Sequence, residues 1–333
     1  MITATELENR IFSVTESDFD ELALDIFRYQ ALYNPVYCTF LTYLDIVPAA
    51  IMNVAEIPFL PVSTFKQHKI ITGSREPQLI FESSGTTGSI NSKHYITNSE
   101  LYQQSFQRTF EQYYGNVSDY LIIGLLPSYL ERGNSSLVYM TDALIQKSGD
   151  ERSGFFLKDF TKLAGLLKQA ENDRKKSLLI GVTYALLDFA EMFPMELKHT
   201  IVMETGGMKG RRNELTRREV HGILKEKLGL TTIHSEYGMT ELLSQAYASE
   251  DGVFKCPPWM EILIRAEDDP FQISSSSGSA PVTGIGNIID LANVNSCCFL
   301  ATDDLMTLYP DGSFEVLGRV DNSDIRGCSL LSL

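Results

Sequence analysis

Apolar residues in the first part of the chain recur at helical spacing. The clearest stripe starts after Ser17 and repeats every three or four residues, as one face of a helix does. It comprises Phe19, Leu22, Ala23, Ile26 and Phe27. Ser17 carries a side chain that favours the N-cap position, and several prolines interrupt the chain after this helix. The pattern predicts a helical N-terminal part over residues 1–75.

From residue 76 onward, short apolar runs alternate with stretches of helical spacing. Such runs are typical of strands buried on both faces, and the alternation favours a mostly parallel sheet covered by helices. The predicted strands cover 120–126, 177–182, 199–204 and 231–236, and the predicted helices cover 158–170, 183–193 and 213–228. We therefore expect an α/β core over residues 76–300. A β-hairpin around Pro310-Asp311-Gly312 and a tail follow in residues 301–333, and the three parts are expected to form one compact unit.

Polar residues at two helix starts have more than one interpretation. Thr97-Asn98-Ser99-Glu100 fits a capping box, and the aromatic stripe behind it is more often core than ligand pocket. That stripe comprises Tyr102, Phe106, Phe110 and Tyr113. Residues 134–136, Asn-Ser-Ser, follow a predicted strand whose carboxyl end would face a ligand crevice. They either line a site or cap the next helix.

The charge and cysteine content of the chain limit its partners. Its 333 residues carry a formal net charge of −15, which argues against nucleic acid or an anionic membrane as the main partner. No apolar run approaches the roughly 18–20 residues needed to span a bilayer, and no signal peptide is visible. The five cysteines show no CxxC spacing, which is typical of reduced thiols rather than of disulfides or a zinc site. These features predict a cytoplasmic protein.

A cluster of small residues follows the apolar run that ends at Phe81. It comprises Ser83, Ser84, Gly85, Thr86, Thr87 and Gly88. Glycines let backbone N–H groups form a nest for an anion, and the hydroxyls add donors for phosphate oxygens. No Gly-Lys-Ser/Thr follows, so the cluster is not a Walker loop. By composition alone, a phosphate loop and a flexible linker are equally good interpretations.

Four later motifs add chemistry to this loop. Gly206 and Gly207 follow a predicted strand and allow close approach to a planar ring, although an ordinary strand-to-helix loop is the simpler interpretation. The run Tyr237-Gly238-Met239-Thr240-Glu241 leaves the next predicted strand. Near the end, Ala301-Thr302-Asp303-Asp304-Leu305 precedes the hairpin, and Gly318-Arg319-Val320-Asp321 follows it.

In this order, the motifs resemble those of the adenylate-forming enzymes, a superfamily of acyl-CoA ligases, firefly-type luciferases and peptide-synthetase adenylation domains. The resemblance spans roughly residues 79–327. It implies an α/β fold like the N-terminal domain of these enzymes, with ATP as a substrate and Mg²⁺ as a cofactor. The implied nucleotide-binding residues are Ser83, Ser84, Gly85, Thr86, Thr87, Gly88, Gly206, Gly207, Tyr237, Gly238, Thr240, Asp304 and Arg319.

The resemblance also implies individual roles. Tyr237 would stack on adenine, Thr240 would bond the α-phosphate, and Glu241 would hold Mg²⁺ as the metal ligand. Asp304 would bond the ribose hydroxyls, and Arg319 would reach the nucleotide.

The chain also departs from the family pattern. Asn91 stands where a lysine is usual, and Asp303 replaces a glycine. The chain stops six residues after Ile325-Arg326-Gly327, so the small C-terminal domain with its adenylation lysine is expected to be absent.

One branch, the acyl-protein synthetases of bacterial luminescence fatty-acid reductase, resembles this plan in size, in Ser92-x-His94 and in a cysteine near the end, Cys328. It implies that ATP activates a long-chain carboxylic acid to acyl-AMP. Cys328 then carries the acyl group as a thioester to a partner reductase. His94 would orient the carboxylate or stabilise negative charge, so the catalytic set is Cys328, His94, Thr240 and Glu241. The rival thiols Cys297 and Cys298 fall in a predicted strand and are interpreted as buried packing residues.

Two alternatives remain open. One is an adenylation core of an acyl- or aryl-CoA ligase that uses a separate C-terminal domain. The other is a non-catalytic nucleotide-binding subunit of a reductase complex.

Overall fold

The structure, a computed structural model, describes residues 2–83, 90–126, 134–157, 159–206, 215–267, 269–274 and 280–320. These residues form two compact units. The first contains the described residues up to Phe106, Gly238–Gln245 and the described residues from Lys255 onward. The second contains Gln107–Tyr237 and Ala246–Phe254. Neither unit is a single consecutive stretch of chain.

Helices and strands alternate along much of the chain. The helices are α1 (Ala4–Ile11), α2 (Phe19–Tyr33), α3 (Pro35–Tyr43), α4 (Ser99–Tyr114), α5 (Ser136–Ser148), α6 (Phe160–Asn172), α7 (Thr183–Met192) and α8 (Arg217–Leu228). The strands are β1 (Leu60–Pro61), β2 (Leu79–Glu82), β3 (Lys93–Ile96), β4 (Leu121–Leu125), β5 (Gly154–Phe155), β6 (Ser177–Gly181), β7 (Thr200–Glu204), β8 (His234–Tyr237), β9 (Ala246–Ala248), β10 (Val253–Phe254), β11 (Met260–Arg265), β12 (Ile273–Ser274), β13 (Val282–Asp290), β14 (Phe299–Leu308) and β15 (Phe314–Arg319). Among the described helices, none is long and apolar enough to cross a membrane.

The first unit is built on an antiparallel sheet with the strand order β15-β14-β13-β11-β12. The short strand β1 pairs with β14 in parallel. The predicted hairpin is confirmed as β14 and β15, and its turn uses Gly312 at φ +79°, a left-handed conformation that glycine adopts without strain. The antiparallel strands also extend upstream of the hairpin, as far as β11. A separate antiparallel pair, β2 and β3, flanks residues 83–92.

The second unit contains the predicted parallel sheet. Its strand order is β5-β4-β6-β7-β8-β9, parallel from β5 to β8 and antiparallel at β9. The residues of β4 and β6 are all buried, as continuous apolar runs predict. Leu163 and Leu167 on α6, and Leu224 on α8, belong to the core cluster around these strands.

The apolar periodicity identifies α2, α4, α6, α7 and α8 correctly, but it does not identify the caps of α2 and α4. The stripe on α2 is buried throughout, whereas the N-cap is Asp18 rather than Ser17. The Ser17 hydroxyl instead donates to the Asp18 carboxylate at 2.7 Å. The predicted box at the start of α4 is also wrong. Asn98 Oδ1 accepts from the Glu100 N–H at 3.2 Å, and the buried Thr97 hydroxyl has no hydrogen-bond partner among the described residues.

Two other predictions at helix starts are resolved by burial and hydrogen bonding. Tyr102, Phe106 and Phe110 on α4 are at most 1% exposed and belong to the core, whereas Tyr113 of the same stripe is half-buried. Ser135 Oγ accepts from the Val138 N–H at 3.4 Å and caps α5, which confirms the helix-cap interpretation of residues 134–136.

A buried glutamine on α2 fixes the loop that precedes β14. Gln30 is fully buried, and its Nε2 donates to the carbonyl oxygens of Asn293 and Val294, each at 3.0 Å. Its Oε1 accepts from the Cys298 N–H, also at 3.0 Å. One amide thereby hydrogen-bonds to three backbone groups of the loop.

Candidate functional site

The predicted site residues divide between the two units, and some lie outside the described residues. Outside the described residues are Ser84, Gly85, Thr86, Thr87, Gly88, Gly207 and Cys328. The first unit contains Ser83, His94, Gly238, Thr240, Glu241, Asp304 and Arg319. The second unit contains Gly206 and Tyr237.

Ser83 hydrogen-bonds to Ser92 across the two strands that flank the predicted phosphate loop. Its N–H donates to the Ser92 carbonyl at 3.0 Å, and its hydroxyl oxygen accepts from the Ser92 N–H at 2.9 Å. Both residues are buried. These bonds hold the two ends of residues 84–91 together, while the hydroxyl proton of Ser83 remains a possible donor to an anion.

His94 on β3 holds the backbone of the Tyr-Gly-x-Thr-Glu segment. The ring is fully buried, and Nδ1 lies 2.8 Å from the Thr240 carbonyl oxygen. A carbonyl only accepts, so Nδ1 carries the proton and donates. Burial lowers the pKa of His94 to about 4, and the ring is therefore neutral near pH 7. Sequence reasoning singled out this residue but could not find its contact with Thr240.

The tautomer of His94 determines what the ring can do. In a neutral imidazole with its proton on Nδ1, Nε2 is an acceptor. Nε2 is buried and has no hydrogen-bond partner within the described ranges. An acceptor does not stabilise a carboxylate or a developing negative charge. The geometry therefore favours a positioning role for His94, through Thr240, over the predicted contact with a substrate carboxylate.

Two residues that sequence reasoning missed hold the rest of the same segment. Asn293 Nδ2 donates to the Glu241 carbonyl at 3.0 Å. The Asp290 carboxylate accepts from the backbone N–H groups of Leu243 at 2.8 Å and Ser244 at 3.0 Å. The Glu241 residue is 1% exposed. Its backbone is thus fixed on both sides by contacts from distant parts of the chain.

The two C-terminal motifs meet across the hairpin. Asp304 on β14 lies opposite Arg319 on β15, and Arg319 Nε donates to Asp304 Oδ1 at 2.8 Å. Their side chains are 5% and 16% exposed. The Asp304 N–H also donates to Thr302 Oγ1 at 3.1 Å, within the Ala-Thr-Asp-Asp-Leu motif. The residues implied for ribose and nucleotide contact are therefore immediate neighbours.

In the second unit, Gly206 follows the carboxyl end of β7, and Tyr237 is the last residue of the neighbouring parallel strand β8. Gly206 has φ +77°, a left-handed conformation suited to glycine, and its N–H donates to Glu204 Oε1 at 2.7 Å. The Thr183 hydroxyl donates to the same oxygen. Tyr237 is 4% exposed, and its ring lies edge-on to Phe254 with 5.9 Å between the ring centroids. These strand ends are where open α/β sheets bind ligands.

Glu236 is a buried acid beside Glu204 at this edge of the sheet. Burial, with the Glu204 charge adding to it, raises the pKa of Glu236 to about 8 from an ordinary value of 4.5. The folded protein therefore keeps a proton on Glu236 between these two pH values, whereas the unfolded chain releases it. Because the folded-state pKa is the higher one, the stabilising contribution of this proton is complete below pH 4.5 and is lost as the pH rises through 8.

Glu236→Gln is expected to remove this loss, because glutamine resembles the protonated acid. The melting temperatures of variant and wild type are measured by thermal unfolding. The difference between them, variant minus wild type, should increase as the pH rises, by roughly 5 °C or more at pH 9. Glu226→Gln is the matched control, since the Glu226 side chain is 74% exposed. An equal offset between variant and wild type at pH 5, 7 and 9 would contradict the assignment.

Comparison with known proteins finds solved structures that are similar to this one. No protein-family model matches the chain, and no curated protein matches it. ATP-bound MatB from Rhodopseudomonas palustris aligns with 74% of this chain and 49% of its own, at 18% identity and a TM-score of 0.54. O-succinylbenzoate coenzyme A synthetase (MenE) from Bacillus subtilis, solved with ATP and magnesium, aligns with 74% and 52%, at 17% identity and a TM-score of 0.51. The luciferase-like enzyme of the nonluminescent mealworm Zophobas morio aligns with 78% and 61%, at 15% identity and a TM-score of 0.51.

The chain spans about half the length of the first two of these structures. At 15–18% identity, the likeness concerns the fold. The structures that share it are MatB, a coenzyme A synthetase and a luciferase-like enzyme, and the shared part is their N-terminal domain. The fold class predicted from the sequence is confirmed: this chain has the α/β fold of the N-terminal domain of adenylate-forming enzymes.

Proposed function

We propose that this protein uses ATP to convert a carboxylic acid to an acyl-adenylate, and that it passes the acyl group to a cysteine of its own chain for delivery to a reductase. The observation that carries the first half is the fold shared with structures solved with ATP and with ATP and magnesium. The four ordered motifs of the sequence support the same half. The second half rests on the resemblance around Cys328 alone.

In the first step, a carboxylate oxygen of the acid attacks the α-phosphorus of ATP. The bond between that phosphorus and the oxygen bridging to the β-phosphate breaks, and pyrophosphate leaves. The Thr240 hydroxyl is assigned as a donor to an α-phosphate oxygen, and His94 fixes the Thr240 carbonyl for it. Fixed donors of this kind stabilise charge in a transition state without reorganising.

Glu241 is the residue assigned to magnesium. A bound Mg²⁺ neutralises charge on the phosphates, and it commonly uses one or two carboxylates together with phosphate oxygens and water. The Glu241 carboxylate is a hard oxygen donor on a segment with a fixed backbone, so the donor chemistry fits the ion. In the described ranges, no group of three or more His, Cys, Asp and Glu side chains is placed to hold a metal ion.

In the second step, the thiolate of Cys328 attacks the carbonyl carbon of the acyl-adenylate. The bond from that carbon to the AMP oxygen breaks, AMP leaves, and the thiol proton passes to solvent. The thioester then serves as the substrate of a partner reductase. The acid is assigned as a long-chain acid on the resemblance alone.

The buried cysteines are poorly suited to act as the nucleophile that accepts the acyl group. Cys297 and Cys298 are fully buried, as predicted, although they precede β14 rather than lie within it. Burial raises the pKa of the Cys297 thiol to about 12, and burial also raises the pKa of Cys256 and Cys298. Thiols of this kind are rarely nucleophiles. Cys38 is exposed and is the described cysteine that needs a direct test.

A second candidate function is the adenylation core of a CoA ligase that uses a separate C-terminal domain. It is favoured by the likeness to MenE, which is a coenzyme A synthetase. The two candidates share the first step and differ in the acceptor of the acyl group, which is a protein thiol in one and CoA in the other.

The decisive experiment incubates the protein with ATP, Mg²⁺ and a panel of labelled carboxylic acids, with and without CoA. Pyrophosphate release and the intact mass of the protein are measured together. We expect acid-dependent pyrophosphate release and an increase in protein mass by one acyl group without CoA. Acyl-CoA with no protein adduct would favour the CoA ligase. No acid-dependent release with any acid would contradict adenylation and favour a non-catalytic nucleotide-binding subunit.

A further inference from the structure

We propose that Asp290 is a positioning residue for the segment Thr240–Ser244, and that Trp259 is linked to this segment through Ser244 as a built-in reporter of nucleotide binding. The proposal rests on the proposed function, because it takes Thr240 and Glu241 to contact the nucleotide and its metal ion. It adds the elements that hold these two side chains in place.

Asp290, the last residue of β13, is fully buried. Its Oδ2 accepts from the backbone N–H groups of Leu243 and Ser244, and its Oδ1 accepts from the Ser244 hydroxyl at 2.6 Å. The Ala292 N–H at 3.2 Å and Asn293 Nδ2 at 3.3 Å complete the set of donors. All five donors are uncharged groups, and three of them belong to the segment that follows Glu241.

The contacts to this segment come from two separate parts of the first unit, strand β3 and the run from Asp290 to Asn293. His94 on β3 donates to the Thr240 carbonyl, Asn293 donates to the Glu241 carbonyl, and Asp290 accepts from Leu243 and Ser244. The backbone is therefore anchored before, at and after Glu241. Since a displacement of about 1 Å at a reacting group can cost a hundredfold in rate, such anchoring has a direct effect on catalysis.

The anionic form of Asp290 is what this arrangement uses. Burial raises the pKa of Asp290, while the hydrogen bonds from Ser244, Leu243 and Ala292 lower it and thereby offset part of that effect. A buried carboxylate is costly unless its oxygens are satisfied by donors. Asparagine has the same shape but presents an N–H₂ group in place of one oxygen, and this group would face N–H donors of the segment.

Trp259 is the only tryptophan in the chain, and it lies at the end of the same network. Its Nε1 donates to Ser244 Oγ at 3.0 Å and to Ser105 Oγ at 3.1 Å. The Ser244 hydroxyl in turn donates to Asp290. Indole emission responds to hydrogen bonding at Nε1. A shift of the segment on binding of ATP and Mg²⁺ should therefore change the Trp259 fluorescence.

The test compares wild type with Asp290→Asn and with the control Ser105→Ala. The control removes the other hydrogen bond of Trp259 and the 3.1 Å contact between the Ser105 and Ser244 hydroxyls, but it leaves every donor to Asp290. Acid-dependent pyrophosphate release and Trp259 emission are measured as functions of Mg²⁺ and ATP concentration, and thermal unfolding checks the fold. For Asp290→Asn we expect kcat to fall about tenfold or more and the Mg²⁺ concentration for half-maximal rate to rise, with KM for the acid within about twofold. Ser105→Ala should retain the wild-type rate and Mg²⁺ dependence.

The outcomes separate this proposal from the proposed function. Wild type without acid-dependent pyrophosphate release contradicts the proposed function. Wild type that turns over while Asp290→Asn keeps the same kcat and Mg²⁺ dependence overturns the positioning role. Wild type that turns over without any change in Trp259 emission on adding ATP and Mg²⁺ overturns the reporter role.

A second variant keeps the proposal testable if Asp290→Asn does not fold. Asn293→Ala removes the donor to the Glu241 carbonyl and leaves four donors to Asp290 in place. We expect it to fold and to raise the Mg²⁺ requirement. A wild-type Mg²⁺ profile in Asn293→Ala would overturn the anchoring of Glu241.

Discussion

Replacing Glu241 with glutamine is expected to lower acid-dependent pyrophosphate release by roughly ten- to a hundredfold. Glutamine keeps the length of the side chain but loses the charge that binds Mg²⁺ as a hard oxygen ligand. Excess Mg²⁺ should restore part of the rate, because it compensates for weaker binding by mass action. Thr240→Ala should cause a similar loss through the missing hydroxyl donor, and this loss should not respond to Mg²⁺.

Glu76→Gln is the matched control for Glu241→Gln, since Glu76 is an exposed glutamate of the same unit. Thermal unfolding of all three variants shows whether a lower rate reflects a loss of folded protein. Unchanged rates in both Glu241→Gln and Thr240→Ala would remove this segment from the mechanism.

The second large effect is expected at Cys328. After incubation of Cys328→Ser with ATP and a labelled fatty acid, the hydroxylamine-labile label on the protein should disappear completely, while acyl-AMP still forms. The reason is that serine is a far weaker nucleophile than a thiolate at neutral pH. Pyrophosphate release, intact mass and hydroxylamine treatment are measured on the same samples.

Cys38→Ser is the control for the Cys328 variant, because Cys38 is an exposed thiol within the described residues. It should keep the label. A label that persists in Cys328→Ser and disappears in Cys38→Ser would move the carrier role to Cys38. A label that persists in both variants would remove the main support for a protein-bound thioester.

The pattern of apolar residues predicted helices and buried strands because the two bury residues differently. A helix buries one face, at a spacing of three or four residues, whereas a strand buried on both faces is a continuous apolar run. The stripe on α2 and the apolar runs of β4 and β6 are cases in point. Caps were less predictable, since neighbouring polar residues can serve equally well. Asp18 stands beside Ser17, and Asn98 stands beside Thr97.

The site was predictable only as far as its residues form contiguous motifs. Asp290 and Asn293 lie in the run Ile288-Ile289-Asp290-Leu291-Ala292-Asn293, which has the composition of an ordinary strand end and turn. Their contacts reach across 47 residues to Leu243 and 52 residues to Glu241, and no local spacing encodes such pairs. His94 was identified through the family resemblance of the sequence around it. The role inferred for it depends on the Thr240 carbonyl, which lies 146 residues away in the chain.

The hydrogen bonds of Gln30 have a consequence for how the protein is synthesised. The amide on α2 leaves the ribosome 263 residues before the Asn293 carbonyl that it binds. At about 5–20 residues per second, this interval lasts roughly 13–50 s. During that time α2 exists without the loop that covers Gln30, and closing so long a loop is a slow, entropically costly step. The Gln30 amide can therefore complete its bonds to this loop, which also carries the Asn293 donor to Glu241, only after the chain has been made through residue 298.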